Sequence, residues 1–369
     1  MIFSSYDKLL PNLYGDNHMK SKKITLQDIA DQAHVSKALV SRVINNRPVR
    51  VSDQKREQIL RIANEADYIP TGKIMNYSSG IPKLNKTIAL LLPHMQYKFM
   101  ADLTETITHV AYENGYTVIA FDTQENNTLE MKYLEICNSV KVSGIIIDSF
   151  SSANNRKYID KLTEWDIPFV FVDCYPSYTD TPNYSIVSTK NEEGMFKLTE
   201  SLIKRGHKKI LSIIQDKSTL TNVSMCRING YYAAMDKYGL PGFNQIIYPN
   251  RDYTQQPIYS LLNTSQKFNA FIIHTGSDMQ HFCDLILTTE YYKQTDFEIG
   301  VFDDFNISFL DQAKGIHRKT YQRISNIVSQ RPQEIGRLAV NALLENIQKG
   351  KQYVPIQAFI DCDLINIKD

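Results

Sequence analysis

Several features that mark secreted, membrane-spanning or metal-binding proteins are scarce in this sequence of 369 residues. It has five cysteines, an odd number with no C-x-x-C spacing and no His/Cys cluster, which argues against a disulfide scaffold or a zinc site. No run of about 18 apolar residues is present, so no membrane-spanning helix is predicted. The N-terminal segment lacks the basic start and apolar centre of a signal peptide. A cytoplasmic protein with reduced thiols is expected.

Motifs for catalysis are also missing. The sequence contains no GxSxG, HExxH, GxxxxGKS/T or GxGxxG pattern, and its eight histidines have no metal-ligand spacing. Asp303 and Asp304 are adjacent carboxylates at the end of an apolar run, but adjacent side chains of a strand diverge and no nucleophile is indicated nearby. We therefore predict no catalytic residue, no metal and no cofactor. An α/β enzyme remains as an alternative.

Positive charge is concentrated near the N-terminus, although the whole chain has a net charge of only +1. Residues 20–80 carry eleven Lys or Arg residues against six acidic residues, whereas residues 81–369 carry a net charge of −3. This asymmetry predicts that the N-terminal part meets a polyanion and the remainder does not. A merely solvated charged surface is the alternative interpretation.

The segment from Ile24 to Asn45 has the pattern of two short amphipathic helices with a tight corner between them. Thr25 and Ser36 stand where each helix would begin, and both are good N-cap residues. Apolar residues spaced for a third helix follow Ser52. Three helices in about fifty residues predict a small domain with a helix-turn-helix corner.

The second helix of such a corner enters the DNA major groove. Its outward face is predicted to hold Lys37, Ala38 and Arg42, with Arg42 able to bond guanine, Lys37 a base or a phosphate, and Ala38 a thymine methyl. Short polar residues suited to phosphate oxygens complete the candidate DNA site: Thr25, Ser36, Ser41 and Asn45. The alternative is that Lys37 and Arg42 are simply solvated.

From residue 87 onward, apolar runs of strand length alternate with amphipathic helical stretches. The runs lie at 87–92, 117–121, 144–148, 168–172, 210–214, 270–273 and 297–302. Continuous apolar strands separated by helices indicate parallel sheets that are covered on both faces. We predict two α/β lobes divided near residue 180, and one further strand around residues 356–365.

These residues resemble the LacI/GalR family of bacterial transcription regulators. The resemblance rests on ITLQDIADQAHVSKALVSRVINN (24–46) and on a third helix ending YIP, and more weakly on KVSGIIID (141–148), CRINGYYAAMDKYGL (226–240) and IGVFDDF (299–305). It implies an all-α helix-turn-helix head joined to an α/β two-lobed periplasmic-binding-protein-like core. The expected domains are an extension that is disordered (1–19), a helix-turn-helix DNA-binding domain (20–70), a hinge (71–85) and an effector-binding and dimerisation core (86–369). Met19 is the expected initiator.

The resemblance also implies an effector site between the lobes. It assigns Arg227 and Asp303 as polar ligands of a small effector. Other residues match positions that line the cleft in relatives: Phe99, Asp148, Tyr253, Ser277, Asp278 and Gln330. Independently, Asp148, Ser277, Asp278 and Asp303 follow apolar strands, at the edge where open α/β sheets bind ligands. A helix N-cap is the alternative role for each acid, above all for Asp278.

Among the departures from the family pattern, two bear on the DNA and effector sites. Tyr77 stands where the family's hinge places a leucine that wedges into the minor groove, so we expect it to contact DNA with a bulkier side chain. The segment after Asp304 is several residues longer than in relatives. It is a candidate loop at the cleft or at the dimer surface.

Together these observations predict a homodimeric regulator, most simply a repressor, that binds an operator in double-stranded DNA. Its operator affinity is expected to depend on a small effector, with a sugar or sugar derivative as the family's commonest choice. The residues leave a nucleobase or a protein corepressor open. A solute-binding protein with an unrelated basic head is the alternative from a different class.

Overall fold

The computed structural model describes residues 25–44, 48–65, 86–149, 156–176, 183–215, 221–247, 257–263, 268–276, 278–289, 296–303 and 316–367. The chain divides into two compact units, Met1–Ile81 and Pro82–Asp369. Across the described ranges, no helix is both long enough and apolar enough to cross a membrane. Each unit has its own hydrophobic core.

The first unit contains three helices: α1 (Leu26–Ala33), α2 (Lys37–Ile44) and α3 (Asp53–Glu65). Thr25 and Asp28 form a reciprocal capping box at the start of α1. The chain turns at His34, whose φ of +52° is left-handed, and Ser36 then accepts the Leu39 N–H to cap α2. The helices enclose a small apolar core built from Ile29, Ala30, Ala33, Val40, Val43, Ile59 and Ala63. The predicted three-helix head is confirmed.

The second unit contains twelve strands within the described residues. They are β1 (Thr87–Leu92), β2 (Thr117–Asp122), β3 (Gly144–Ile147), β4 (Phe169–Val172), β5 (Ser185–Thr189), β6 (Ile210–Gln215), β7 (Phe243–Ile247), β8 (Ala270–Ile273), β9 (Glu298–Phe302), β10 (Ile324–Ser329), β11 (Gln357–Ile360) and β12 (Asp363–Asn366). The helices between them are α4 (Lys98–Glu113), α5 (Asn127–Val140), α6 (Arg156–Glu164), α7 (Asn191–Lys204), α8 (Asn222–Lys237), α9 (Pro257–Leu262), α10 (Asp278–Leu287), α11 (Ile316–Tyr321) and α12 (Pro332–Lys349).

The strands form two six-stranded sheets, and each sheet is the centre of one lobe. The first has the order β11-β5-β4-β3-β1-β2 and is parallel throughout. The second has the order β12-β10-β9-β8-β6-β7 and is parallel except for β12, which runs antiparallel to β10. Helices pack on the sheets and bury nearly all central strand side chains. The predicted α/β architecture with two lobes is confirmed.

The chain crosses between the lobes three times, and the crossovers lie side by side. The first leads from β5 into α7 at residues 189–191, the second from β10 into α12 at residues 329–332, and the third from β11 to β12 at residues 360–363. The lobes therefore divide at about residue 190, ten residues later than predicted. Residues at the three crossovers are hydrogen bonded to one another, so the lobes share a common hinge.

The structure corrects the expected single strand over residues 356–365. This segment forms two strands in different sheets, because the chain passes from the first lobe to the second at Asp361 and Cys362. The break is held by the Lys190 N–H, which donates to the Ile360 carbonyl (2.9 Å), and by the Lys190 ammonium, which lies 2.7 Å from the Asp361 carboxylate. Strand β2 also differs from the expectation, because it is an edge strand and is largely exposed.

Candidate functional site

The outward face of α2 is exposed in the head. Lys37, Ala38 and Arg42 are exposed, whereas Val40 and Val43 are buried against α1 and α3. Ser36 is exposed at the helix start, and Ser41 is partly buried. The sequence-predicted cationic residues of α2 therefore lie together on one accessible surface, which suits a polyanion.

Thr25 serves the head as a helix cap. Its hydroxyl donates to the Asp28 carboxylate (2.6 Å) and accepts the Asp28 N–H (3.3 Å). It is also exposed, so the cap does not bury it away from solvent. The other two residues of the predicted DNA site, Asn45 and Tyr77, lie outside the described residues.

In the second unit, the buried guanidinium of Arg227 is the centre of a polar network. Arg227 lies in α8 and is 2% exposed. Its Nε donates to Asn191 (2.8 Å), and its Nη1 donates to the His274 carbonyl (2.6 Å) and to Asp303 Oδ2 (3.3 Å). The guanidinium carbon lies 3.8 Å from the centre of the Phe302 ring. Arg227 and Asp303, predicted to act together, are brought together in the fold.

The network continues across the hinge through Gln330. The Gln330 amide donates to Asp303 Oδ1, and its carbonyl accepts the hydroxyl of Thr189, which belongs to the first lobe. Asp303 directly follows β9 and has a φ of +81°, an unfavourable value for a residue other than glycine. A series of hydrogen bonds from Thr189 through Gln330 and Asp303 to Arg227 therefore connects the two lobes. Each of these side chains is at most partly exposed.

His274 is a buried neutral base behind this network. The Ser212 hydroxyl donates its only proton to Asn244 (2.8 Å), so the Ser212 oxygen accepts from His274 Nε2 (2.7 Å). Burial, together with the charge of Arg227, lowers the pKa of His274 to about 3. The imidazole is therefore uncharged at neutral pH, and Arg227 retains Asp303 as its anionic partner.

Buried acids line the corresponding edge of the first lobe. Asp148 follows β3 and accepts the Cys174 N–H (3.2 Å), and Asp173 follows β4 and is 6% exposed. Glu130 is also buried and accepts the Ser149 hydroxyl (3.1 Å). Asp148, Asp173 and Cys174 are the described set that could hold a metal ion, since their ligand atoms lie within 4.8 Å of one another. Their backbone hydrogen bonds provide an alternative structural role.

The remaining predicted effector residues have different surroundings. Phe99 is 8% exposed and packs in the core of the first lobe. Asp278 is fully buried at the first residue of α10, where its N–H donates to the Thr275 hydroxyl (3.2 Å). Tyr253 and Ser277 lie outside the described residues, as do residues 1–24, the predicted hinge at 71–85 and most of the long segment after Asp304.

Several residues of these two buried polar groups were not predicted from the sequence. Asp173 could have been found, because it follows an apolar strand in the same way as Asp148. His274 also directly follows an apolar strand, and that position is the signal that could have identified it. Thr189 and Asn191 gave no signal, because their partners lie far away in the chain.

Known proteins share this division into a helical head and a two-lobed unit. Residues 25–71 match the family model described as bacterial regulatory proteins of the lacI family, and residues 85–292 match the model described as periplasmic binding proteins and sugar binding domain of LacI family. The NTD biosynthesis operon regulator NtdR of Bacillus subtilis (strain 168) is 33% identical over 58% of this chain and 62% of its own length. The HTH-type transcriptional regulator DegA of the same strain is 29% identical over 62% of this chain and 66% of its own length. The match thus spans less than two thirds of either relative.

Solved structures share the fold at low identity. A complex of the transcriptional regulator CelR with cellobiose has a TM-score of 0.62 at 18% identity, covering 94% of this chain and 100% of that one. The Lac repressor dimer bound to operator and the anti-inducer ONPF has a TM-score of 0.60 at 19% identity, covering 93% and 98%. The family models together span the capped helical corner and most of the two-lobed unit. The chain belongs to the LacI family of bacterial regulatory proteins.

Proposed function

We propose that this protein is a sequence-specific DNA-binding transcriptional regulator, most simply a repressor, that acts as a homodimer in the cytoplasm. The observation that carries the proposal is the exposed cationic face of α2 on a capped helical corner, within the residues that match the lacI-family model. The proposal assigns no catalytic residue. Two-fold symmetry of the dimer would pair two half-sites in the operator.

Each proposed DNA contact has a chemical role. Arg42 would bond a guanine edge through its two-pronged guanidinium, and Ala38 would contact a thymine methyl. Lys37 would reach a base or a phosphate. The short polar residues would bind phosphate oxygens: Thr25, Ser36, Ser41 and Asn45. We propose that Tyr77 contacts the minor groove from a hinge within residues 71–85.

The proposed effector site lies between the lobes. Arg227, Asp303 and Gln330 form the polar group at its hinge side, with Asp148 and Asp278 as further candidates beside Phe99, Tyr253 and Ser277. These charged and amide groups can hydrogen bond to the hydroxyls of a sugar or a sugar derivative. Related folds have been solved with such ligands, including cellobiose in CelR and fructose 1-phosphate in a Cra regulator.

An effector can act only if it binds differently to the DNA-bound and DNA-free states. The series of hydrogen bonds Thr189–Gln330–Asp303–Arg227 supports such coupling, because it joins both lobes to the proposed site. Lobe movement would change these hydrogen bonds. The linker at residues 71–85 would pass that change to the helix-turn-helix head.

A mobility-shift assay of the full chain tests the regulatory function. A palindromic fragment from the gene's own promoter region should be shifted at protein concentrations that leave a scrambled fragment of equal length free. Thermal-shift screening against sugars, sugar phosphates and nucleosides tests the effector, because a ligand at about 100 times its dissociation constant stabilises the fold by about 2.7 kcal/mol. Equal binding of both fragments would refute a sequence-specific regulator.

A further inference from the structure

A cavity opens beside the interlobe crossovers, on the side of the edge strand β11. Its volume is about 480 Å³, which falls in the range of small-molecule sites. The first lobe contributes Tyr175 and Phe359, and the second contributes Glu192, Asn222 and Cys226. The lining does not include Arg227, Asp303 or Gln330, but it shares Thr189 and Asn191 with their network, so this cavity adjoins the proposed effector site.

One wall of the cavity is aromatic. The ring centres of Tyr175 and Phe359 are 6.3 Å apart, and their planes are inclined by 58°. Phe359 is 40% exposed, although it is a large apolar side chain. A flat or alkyl group placed against these two rings would remove this apolar surface from water.

The cavity lining also carries three charged side chains, Lys190, Glu192 and Glu193. Of its charged side chains, Lys190 pairs with Asp361 (2.7 Å) and Glu193 pairs with Lys197 (2.6 Å). Glu192 has no such ion pair within the described part of the chain. Burial raises the pKa of the Cys226 thiol, and the nearby charge of Glu192 raises that pKa further. The thiol therefore stays neutral. Glu192 is exposed to solvent and leaves the lining with one negative charge with which a bound cation could pair.

Because both lobes line the cavity, its shape depends on the relative position of the lobes. Its wall includes the hydrogen bond from the Tyr175 N–H to Asn222 Oδ1 (3.2 Å), which joins the loop after β4 to the start of α8 across the interlobe boundary. A molecule that contacts both Phe359 and Glu192 would bind differently when the lobes move. Occupancy of this cavity would therefore favour one lobe arrangement.

From this aromatic wall and this carboxylate, we propose that the cavity is a second binding site for a small primary amine with an aromatic or alkyl body. The body would lie against Tyr175 and Phe359, and the ammonium group would pair with Glu192. Glu192 also lies in the first turn of α7, where an acid stabilises the helix without any ligand. Ligands of matched shape and different charge separate these two roles.

The test compares three molecules of nearly equal shape, 2-phenylethylamine, 2-phenylethanol and 3-phenylpropanoate, by calorimetric or NMR titration of the full chain. The amine should bind about fivefold more tightly than the alcohol, which is the upper range for an exposed ion pair. The carboxylate should bind most weakly. Glu192→Gln should remove the preference for the amine while leaving the affinity for the alcohol unchanged.

Glu193→Gln is the matched control, because it removes the neighbouring carboxylate, which is paired with Lys197. It should leave the amine affinity within about twofold of the wild-type value. Phe359→Ala should weaken both the amine and the alcohol. No measurable amine binding, or an amine affinity that Glu192→Gln does not change, would overturn the proposal. These titrations contain no DNA, so their failure is distinguishable from failure of the regulatory function.

Discussion

Nη1 of Arg227 lies 3.3 Å from Oδ2 of Asp303, and the two side chains are 3% and 15% exposed. The pair joins α8 to the residue that follows β9, which is 76 residues further along the chain. Buried charges of this kind are costly when one partner is missing, because the other is left desolvated without compensation. The pair therefore supports the fold and also places two polar groups at the edge where α/β sheets bind ligands.

Asp303→Ala is expected to destabilise the second unit by about 3 kcal/mol, because Arg227 would keep its burial and lose its anion. Denaturant unfolding measures this loss. Asp363→Ala is the matched control, since Asp363 pairs with Arg331 at 2.7 Å on the surface. That exposed pair should contribute no more than about 1 kcal/mol. Equal losses of unfolding free energy in the two variants would contradict the claim that the Arg227–Asp303 pair is buried.

Stability is expected to fall in acid because of His274. Its pKa is lowered to about 3 in the folded state, so below an unfolded-state pKa near 6.5 the unfolded chain binds a proton that the folded chain does not. The stabilising contribution is therefore present above pH 6.5 and is lost as the pH falls toward 3.

Denaturant unfolding between pH 7 and about pH 4 checks this sign. The wild-type free energy of unfolding should fall by up to about 1.4 kcal/mol per pH unit more steeply than that of His274→Asn. Other groups that titrate in both proteins, such as His281, cancel in the difference. Parallel curves for the two proteins would show that His274 is not held neutral.

Gly230→Ala is expected to push α8 away from α7. A Cβ at residue 230 would collide with the Glu192 carbonyl oxygen, which belongs to the backbone and cannot move aside cheaply. Overpacking of this kind costs about 2 kcal/mol, and thermal unfolding measures it. Asn229→Ala, at the exposed neighbouring position of α8, should change stability by less than about 0.5 kcal/mol. A stable Gly230→Ala protein would disprove the close helix contact.

Local patterns made most of the fold predictable. The head follows from apolar spacing and from caps at Thr25 and Ser36, which depend on neighbours within four residues. The central strands were predictable because both faces are buried. Strands β5, β7 and β10 were missed, since Ser, Thr, Asn and Gln interrupt their apolar residues. Strand β2 was misjudged because an edge strand can be apolar and still exposed.

The site was less predictable than the fold. Resemblance paired Arg227 with Asp303, and the structure brings them together. It did not indicate Asn191, His274 or Thr189, because their roles depend on contacts between distant segments. The assignments to DNA and effector remain predictions.

The most direct test of the central claim, that α2 reads DNA sequence, is an anisotropy titration of the full chain with an own-promoter palindrome and with a scrambled fragment. Arg42→Ala should weaken binding to the palindrome by about 1 to 3 kcal/mol and change binding to the scrambled fragment much less. Arg61→Ala, which removes the same charge from α3, serves as the control and should weaken both fragments slightly and equally. If Arg42→Ala and Arg61→Ala have the same effect on both fragments, α2 does not read sequence and the account is wrong.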